Sequence, residues 1–174
     1  MAGSRREAGF SLIEMMVVVS ILGILAAISI PTFRGMMPRI RLNNNMMLLS
    51  NQIAVARVRA ISKSSDFRIE FNPAADNYLT SRFSGAWQSL GTETMAGTDL
   101  VSAAILDPPN PSIALNPANT LSFGGNGQVT NVPIGKQAAV ELRTPNGAIR
   151  KRIKVEATGR MSVERWAGSA WVEE

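Results

Sequence analysis

The chain has 174 residues, 45% of them hydrophobic, enough to bury the core of one ordinary domain and carry an extra element. Eighteen Lys and Arg against 13 Asp and Glu leave a net charge of +5, which suits anionic partners without specifying one. It contains no histidine and no cysteine, which excludes disulfides, thiolate chemistry, histidine-based triads and most zinc and iron sites.

The N-terminal element carries the most information. Arg5 and Arg6 precede a run from Met15 through Phe33 without a charged residue. As a helix rising about 1.5 Å per residue, this run reaches roughly 28 Å, the thickness of a bilayer's hydrocarbon core. One acid, Glu14, interrupts the apolar sequence at its start. A charge near hydrocarbon costs on the order of 2.5 kcal/mol or more, so it calls for a partner. Two ordinary readings compete here. A secretory signal would use the small residues Ala26, Ala27 and Ser29 for cleavage, but an acid in the first apolar turn and a helical pattern continuing past Pro31 argue against it. A plain membrane anchor is the other, and the loop charges barely orient it, because Arg5 and Arg6 face Arg34, Arg39 and Arg41 across the span.

Gly9-Phe10-Ser11-Leu12-Ile13-Glu14, with a short basic leader before it and an apolar helix after it, resembles the processing signature of type IV pilins and type II secretion pseudopilins. The resemblance implies that prepilin peptidase cuts after Gly9 and that the new amine of Phe10 is methylated. The leader is then residues 1–9 and the transmembrane helix residues 10–33, a single inner-membrane pass with the C-terminal domain in the periplasm. A positive amine on Phe10 explains the acid. Glu14 of one subunit neutralises the amine of its neighbour when helices pack in an apolar filament core, where attraction is strong and an unpaired carboxylate is costly. The alternative is an acid reaching the headgroups at the helix start.

Residues 34–65 continue the helix in amphipathic form. Leu42, Met46, Leu49, Ile53, Ala56 and Ala60 recur at alternating spacings of four and three, one apolar face for packing on a globular domain. Pro31, Gly35 and Pro38 weaken the helix between its two halves, so a kink or a melted turn is expected there, centred on Pro31 and Pro38.

From Phe67 the period changes to two. Phe67, Ile69 and Phe71 alternate with Arg68 and Glu70, and after the Asn72-Pro73 turn a second strand runs from Tyr78 to Phe83. The stretch 85–117, rich in Gly, Pro, Ser, Thr and Asn, reads as loops with short strands. Two further hairpins are expected. Leu121–Phe123 and Gln128–Val132 flank Gly124-Gly125-Asn126-Gly127, and Val140–Arg143 and Ile149–Val155 flank Pro145-Asn146-Gly147. Met161–Glu164 is a last short strand. The fold class is therefore α+β, one long N-terminal helix laid on a mostly antiparallel β domain over residues 66–174. The tail, with Leu121-Ser122-Phe123-Gly124, Gly127 and Thr158-Gly159-Arg160-Met161, resembles the FimT/GspH branch of minor pilins and pseudopilins, and the missing cysteine pair favours a minor component.

No catalytic constellation is present, and no cofactor or metal is assigned. The Gly124–Gly127 cluster lacks a following lysine, and Asp99 and Asp107 stand without the alternating oxygen ligands of a calcium loop. The leading function is thus a structural subunit, not an enzyme, with prepilin peptidase, other pilins and the inner membrane as partners. The alternative is a DNA-binding minor pilin acting in DNA uptake. Arg150, Arg152 and Lys154 share one face of a strand, and Arg160 lies in the following turn. Ser162 stands where DNA-binding FimT-like relatives carry a second arginine, so a solvated hairpin face competes with this reading.

Overall fold

The computed structural model describes residues 10–107, 110–114 and 119–174, so Gly9 and the rest of the leader lie outside the described residues. The chain divides into two compact units, Met1–Met37 and Pro38–Glu174.

A single helix, α1 (Leu12–Lys63), enters with Ser11 in the capping position, its carbonyl accepting the Met15 amide at 3.2 Å. In the first unit the window Leu12–Ser29 has a mean hydropathy of 2.4 and none of it is buried. Its serines do not present free hydroxyls. Ser20 Oγ donates to the Met16 carbonyl at 2.7 Å and Ser29 Oγ to the Leu25 carbonyl at 2.8 Å, which suits a helix facing an apolar medium. The backbone keeps its helical assignment through Pro31, Gly35 and Pro38, so the sequence does not open into a melted turn there.

In the second unit the expected face of α1 is the buried one. Leu42, Leu49, Ala56 and Ala60 are fully enclosed, and Met46 and Ile53 nearly so. The helix stops where Ser64 takes a left-handed conformation (φ 44°), with the Ser65 amide reaching back to the Ala60 carbonyl at 3.2 Å.

The β region has ten strands among the described residues. They are β1 (Phe67–Asn72), β2 (Asn77–Phe83), β3 (Trp87–Thr94), β4 (Asp99–Asp107), β5 (Asn110–Ala114), β6 (Thr120–Phe123), β7 (Gln137–Arg143), β8 (Arg150–Glu156), β9 (Met161–Trp166) and β10 (Trp171–Glu173). They form a four-stranded sheet in the order β3-β2-β1-β6 and a six-stranded sheet in the order β10-β9-β8-β7-β4-β5. Every pairing is antiparallel. Phe67, Ile69 and Phe71 of β1, Leu121 and Phe123 of β6, Val140 and Leu142 of β7, and Ile153 and Val155 of β8 join the buried face of α1 in one core. The α+β reading holds.

Three expectations are corrected. The stretch expected to be mostly loop contains β3 and β4, regular strands of eight and nine residues. The hairpin expected across Gly124–Gly127 is only a turn with one bridge, Phe123 to Val129, because β6 pairs with β1 instead. A strand past Glu164 was not anticipated, yet β10 folds back on β9 and stacks Trp171 edge-on against Trp166, with ring centres 5.4 Å apart.

Candidate functional site

Phe10, the first described residue, is 80% exposed and precedes the helix. Glu14 sits in the first turn of α1, where the partial positive charge of the helix start favours an anion. It is exposed, and so are Leu12, Ile13, Met15 and Met16 around it. The carboxylate therefore belongs to an apolar helical surface that the rest of the unit leaves uncovered.

A second apolar surface lies on α1 in the other unit, and the sequence reading missed it. Ile40, Met47, Leu48, Val55, Val58 and Ile61 follow one another at intervals of seven, one, seven, three and three residues, outside the core face of the helix. All are exposed, Met47 by 68% and Val58 by 62%. Exposed aliphatic side chains in this number suit a surface that is covered on association, although Asn44 and Asn51 interrupt them. The signal was present in the sequence, since this segment is apolar on two sides.

The basic strand keeps the expected alternation. Ile153 and Val155 of β8 point into the core, while Arg150, Arg152 and Lys154 line the opposite face. Each of these cations meets a carboxylate from a neighbouring strand. Arg150 Nε lies 2.6 Å from Glu141 Oε1 of β7. Arg152 Nε and Lys154 Nζ approach the two oxygens of Glu164 of β9 at 2.5 and 2.6 Å. Burial pushes the Glu164 carboxyl upward, but the hydrogen bonds from Lys154 and Arg152 outweigh it and hold the group below the usual carboxylate range. The bond to Glu141 likewise raises the Arg150 pKa. The guanidinium of Arg152 also lies 4.3 Å from the Trp171 ring centre, and that of Arg150 is 5.5 Å from Trp166. Arg160 stands apart in the β8–β9 turn. Its side chain is exposed and has no ion pair among the described residues.

Among the described residues no three metal-ligating side chains cluster. Asp99 accepts from Arg143 Nε at 3.1 Å, a cross-strand ion pair.

Comparison with known proteins agrees with this geometry. Residues 4–30 match the model of the prokaryotic N-terminal methylation motif. The chain is similar in structure to the minor pseudopilin EpsH from the type II secretion system of Vibrio cholerae. Its TM-scores against two EpsH structures are 0.53 and 0.54 at 13% identity, covering 71% of this chain and 95% and 92% of those chains. It is also similar to the type IV minor pilin FimU of Pseudomonas aeruginosa, with a TM-score of 0.51 at 13% identity over 77% of this chain and 94% of that one. The chain is pilin-like in its N-terminal motif and in its fold.

Proposed function

We propose that this chain is a minor pilin or pseudopilin, a structural subunit of a type IV pilus or a type II secretion pseudopilus, with no enzymatic activity of its own. The observation that carries the reading is the surface of α1. Its N-terminal part is exposed and apolar throughout and holds one acid in the first turn. Its later part, buried on one face, shows aliphatic side chains on the other. A bilayer would cover only the first of these, whereas a bundle of neighbouring helices covers both.

In this reading prepilin peptidase cleaves after Gly9 and Phe10 becomes the methylated N-terminus. The protein waits in the inner membrane with its β domain in the periplasm and then joins a filament, where Glu14 meets the amine of a neighbouring subunit. Pro31 and Pro38 remove backbone donors from α1 and are the positions at which it bends most readily. The DNA-uptake alternative draws less support. Arg150, Arg152 and Lys154 already face carboxylates and indole rings, which leaves Arg160 as the exposed cation of that set.

Intact-mass analysis of protein extracted from membranes tests the reading. The mature chain should begin at a methylated Phe10, and Gly9→Ala should retain the leader. Glu14→Ala should be processed and inserted normally yet crosslink poorly to other pilins. Cleavage elsewhere, or equal crosslinking without the carboxylate, would refute it.

A further inference from the structure

Two adjacent methionines of α1 have opposite surroundings. Met46 belongs to the core and is 4% exposed, whereas Met47 is 68% exposed. The second unit has two other methionines, and neither stands open: Met95 is buried, and Met161 packs partly covered against the core. Met47 is therefore the exposed thioether of that unit. An oxidant reaches such a sulfur readily, and the product, methionine sulfoxide, is polar where the thioether is apolar.

The surroundings of Met47 suit that product. Asn43, one turn before it, and Asn51, one turn after it, lie on the same flank of the helix. Together with Lys151 of β8 they line a cavity of about 330 Å³ beside Met47. All three side chains end in N–H donors, and a sulfoxide oxygen is an acceptor. The next residue, Leu48, is 60% exposed and aliphatic, part of the surface that the assembly reading places against neighbouring helices.

We propose that Met47 is a reversible oxidation site that governs whether the subunit joins a filament. The proposal rests on the assembly reading above and adds its regulation. In the step, a lone pair of the Met47 sulfur attacks one oxygen of hydrogen peroxide and the O–O bond breaks. The sulfur is oxidised by two electrons and the other oxygen leaves as water. The folded subunit tolerates the sulfoxide, because amide and ammonium donors surround it, but a helix bundle would have to enclose a polar S–O group. Reduction by a thiol-dependent reductase removes that oxygen as water and restores the apolar side chain. In an assembled filament Met47 is covered and out of the oxidant's reach.

The test uses the full-length chain in membranes of a host with the assembly machinery, treated with hydrogen peroxide and then crosslinked to the other pilins. Peptide masses should show one oxygen added at Met47 before Met46, Met95 or Met161. The crosslinked fraction should fall about tenfold, as expected for losing the burial of one apolar side chain, and methionine sulfoxide reductase should restore it. Met47→Leu should keep its crosslinked fraction through the treatment, and Met47→Gln, polar and of similar length, should be low without any oxidant. Met36 and Met37, 54 and 43% exposed in the first unit, oxidise in every variant, so a loss caused by them appears equally in Met47→Leu. Oxidation of Met47 no faster than of Met46, an equal loss in Met47→Leu, or normal crosslinking of Met47→Gln overturns the oxidation site and leaves the subunit assignment standing. Failure of the untreated, unsubstituted chain to crosslink to other pilins overturns both.

Discussion

Arg57 of α1 donates from Nε to the carbonyl of Gly127 at 3.0 Å, and its second arm reaches the Thr158 carbonyl at 3.1 Å. One half-buried guanidinium on the helix thus ties together two turns, the one after β6 and the one after β8. Hydrogen bonds from a charged donor contribute about 1.5–3 kcal/mol each, less when exposed or coupled. Arg57→Ala should therefore destabilise the protein by about 2 kcal/mol, lowering the thermal midpoint by several degrees. Arg57→Lys should recover little of this, because an ammonium lacks the planar fork that reaches both carbonyls. Circular dichroism melts of the full chain in detergent would show it.

The same contact accounts for the tail glycines. Gly159 has φ +80°, and a Cβ there would stand 2.5 Å from Arg57 Nε and 2.9 Å from the Gly127 carbonyl oxygen. Gly159→Ala therefore combines backbone strain with a clash and should destabilise more than Gly147→Ala, where φ is also positive (+68°) but the space is open. Equal melting losses at the two positions would mean that the helix contact contributes nothing.

Those glycines were legible in the sequence as a family-like pattern, but their reason was not, since Arg57 lies 70 residues from Gly127. What could be read was local. The core face of α1 follows from 3.6-residue periodicity, β1 from strict alternation, β2 from the Asn72-Pro73 turn before it, and the β7–β8 hairpin from Pro145-Asn146-Gly147. Strand β3 was hidden because it contributes no side chain to the core and so has no apolar alternation to find. The pairing of β6 was hidden because its partner, β1, lies far upstream. The basic stripe was placed on the correct face, yet its neutralisation depends on register. Glu164 falls directly opposite Arg152, and Glu141 opposite the same residue on the other side. The outward stripe of α1 went unread because the segment is apolar on both sides, which blurs the contrast that marks an amphipathic helix.

The Glu164 cluster ties stability to pH. Its carboxyl titrates lower in the folded chain than its ordinary value of 4.5, because Lys154 and Arg152 hold the anion. Below that ordinary value the unfolded chain takes up the proton first, so the folded state loses stability as pH falls through the folded pKa and keeps it in full above about pH 5. Glu164→Gln should lower stability at neutral pH, leaving Arg152 and Lys154 without their anion, and should flatten the decline below about pH 5. Urea midpoints at a series of pH values measure this. A variant that declines as steeply as the unsubstituted protein would place the acid sensitivity at other carboxylates.

The outward stripe of α1 separates folding from assembly. Met47, Leu48 and Val58 are 68, 60 and 62% exposed, so replacing them removes little that the isolated subunit buries. Exposed substitutions usually change stability within about 0.5 kcal/mol, and serine at Met47 and Val58 should leave the melting temperature nearly unchanged. In a bundle the same side chains would be enclosed, and each buried aliphatic side chain contributes about 1.5–3 kcal/mol relative to exposure. The Met47→Ser, Val58→Ser double variant should therefore accumulate in membranes at normal levels, be processed at Gly9, and enter filaments at least tenfold less well. Leu49→Ser, one residue from Leu48 but fully buried, should do the reverse, lowering stability and abundance before assembly is reached. Comparing abundance with filament content for the two variants decides whether the stripe is an assembly face, because normal filament content in the double variant would reduce it to exposed surface.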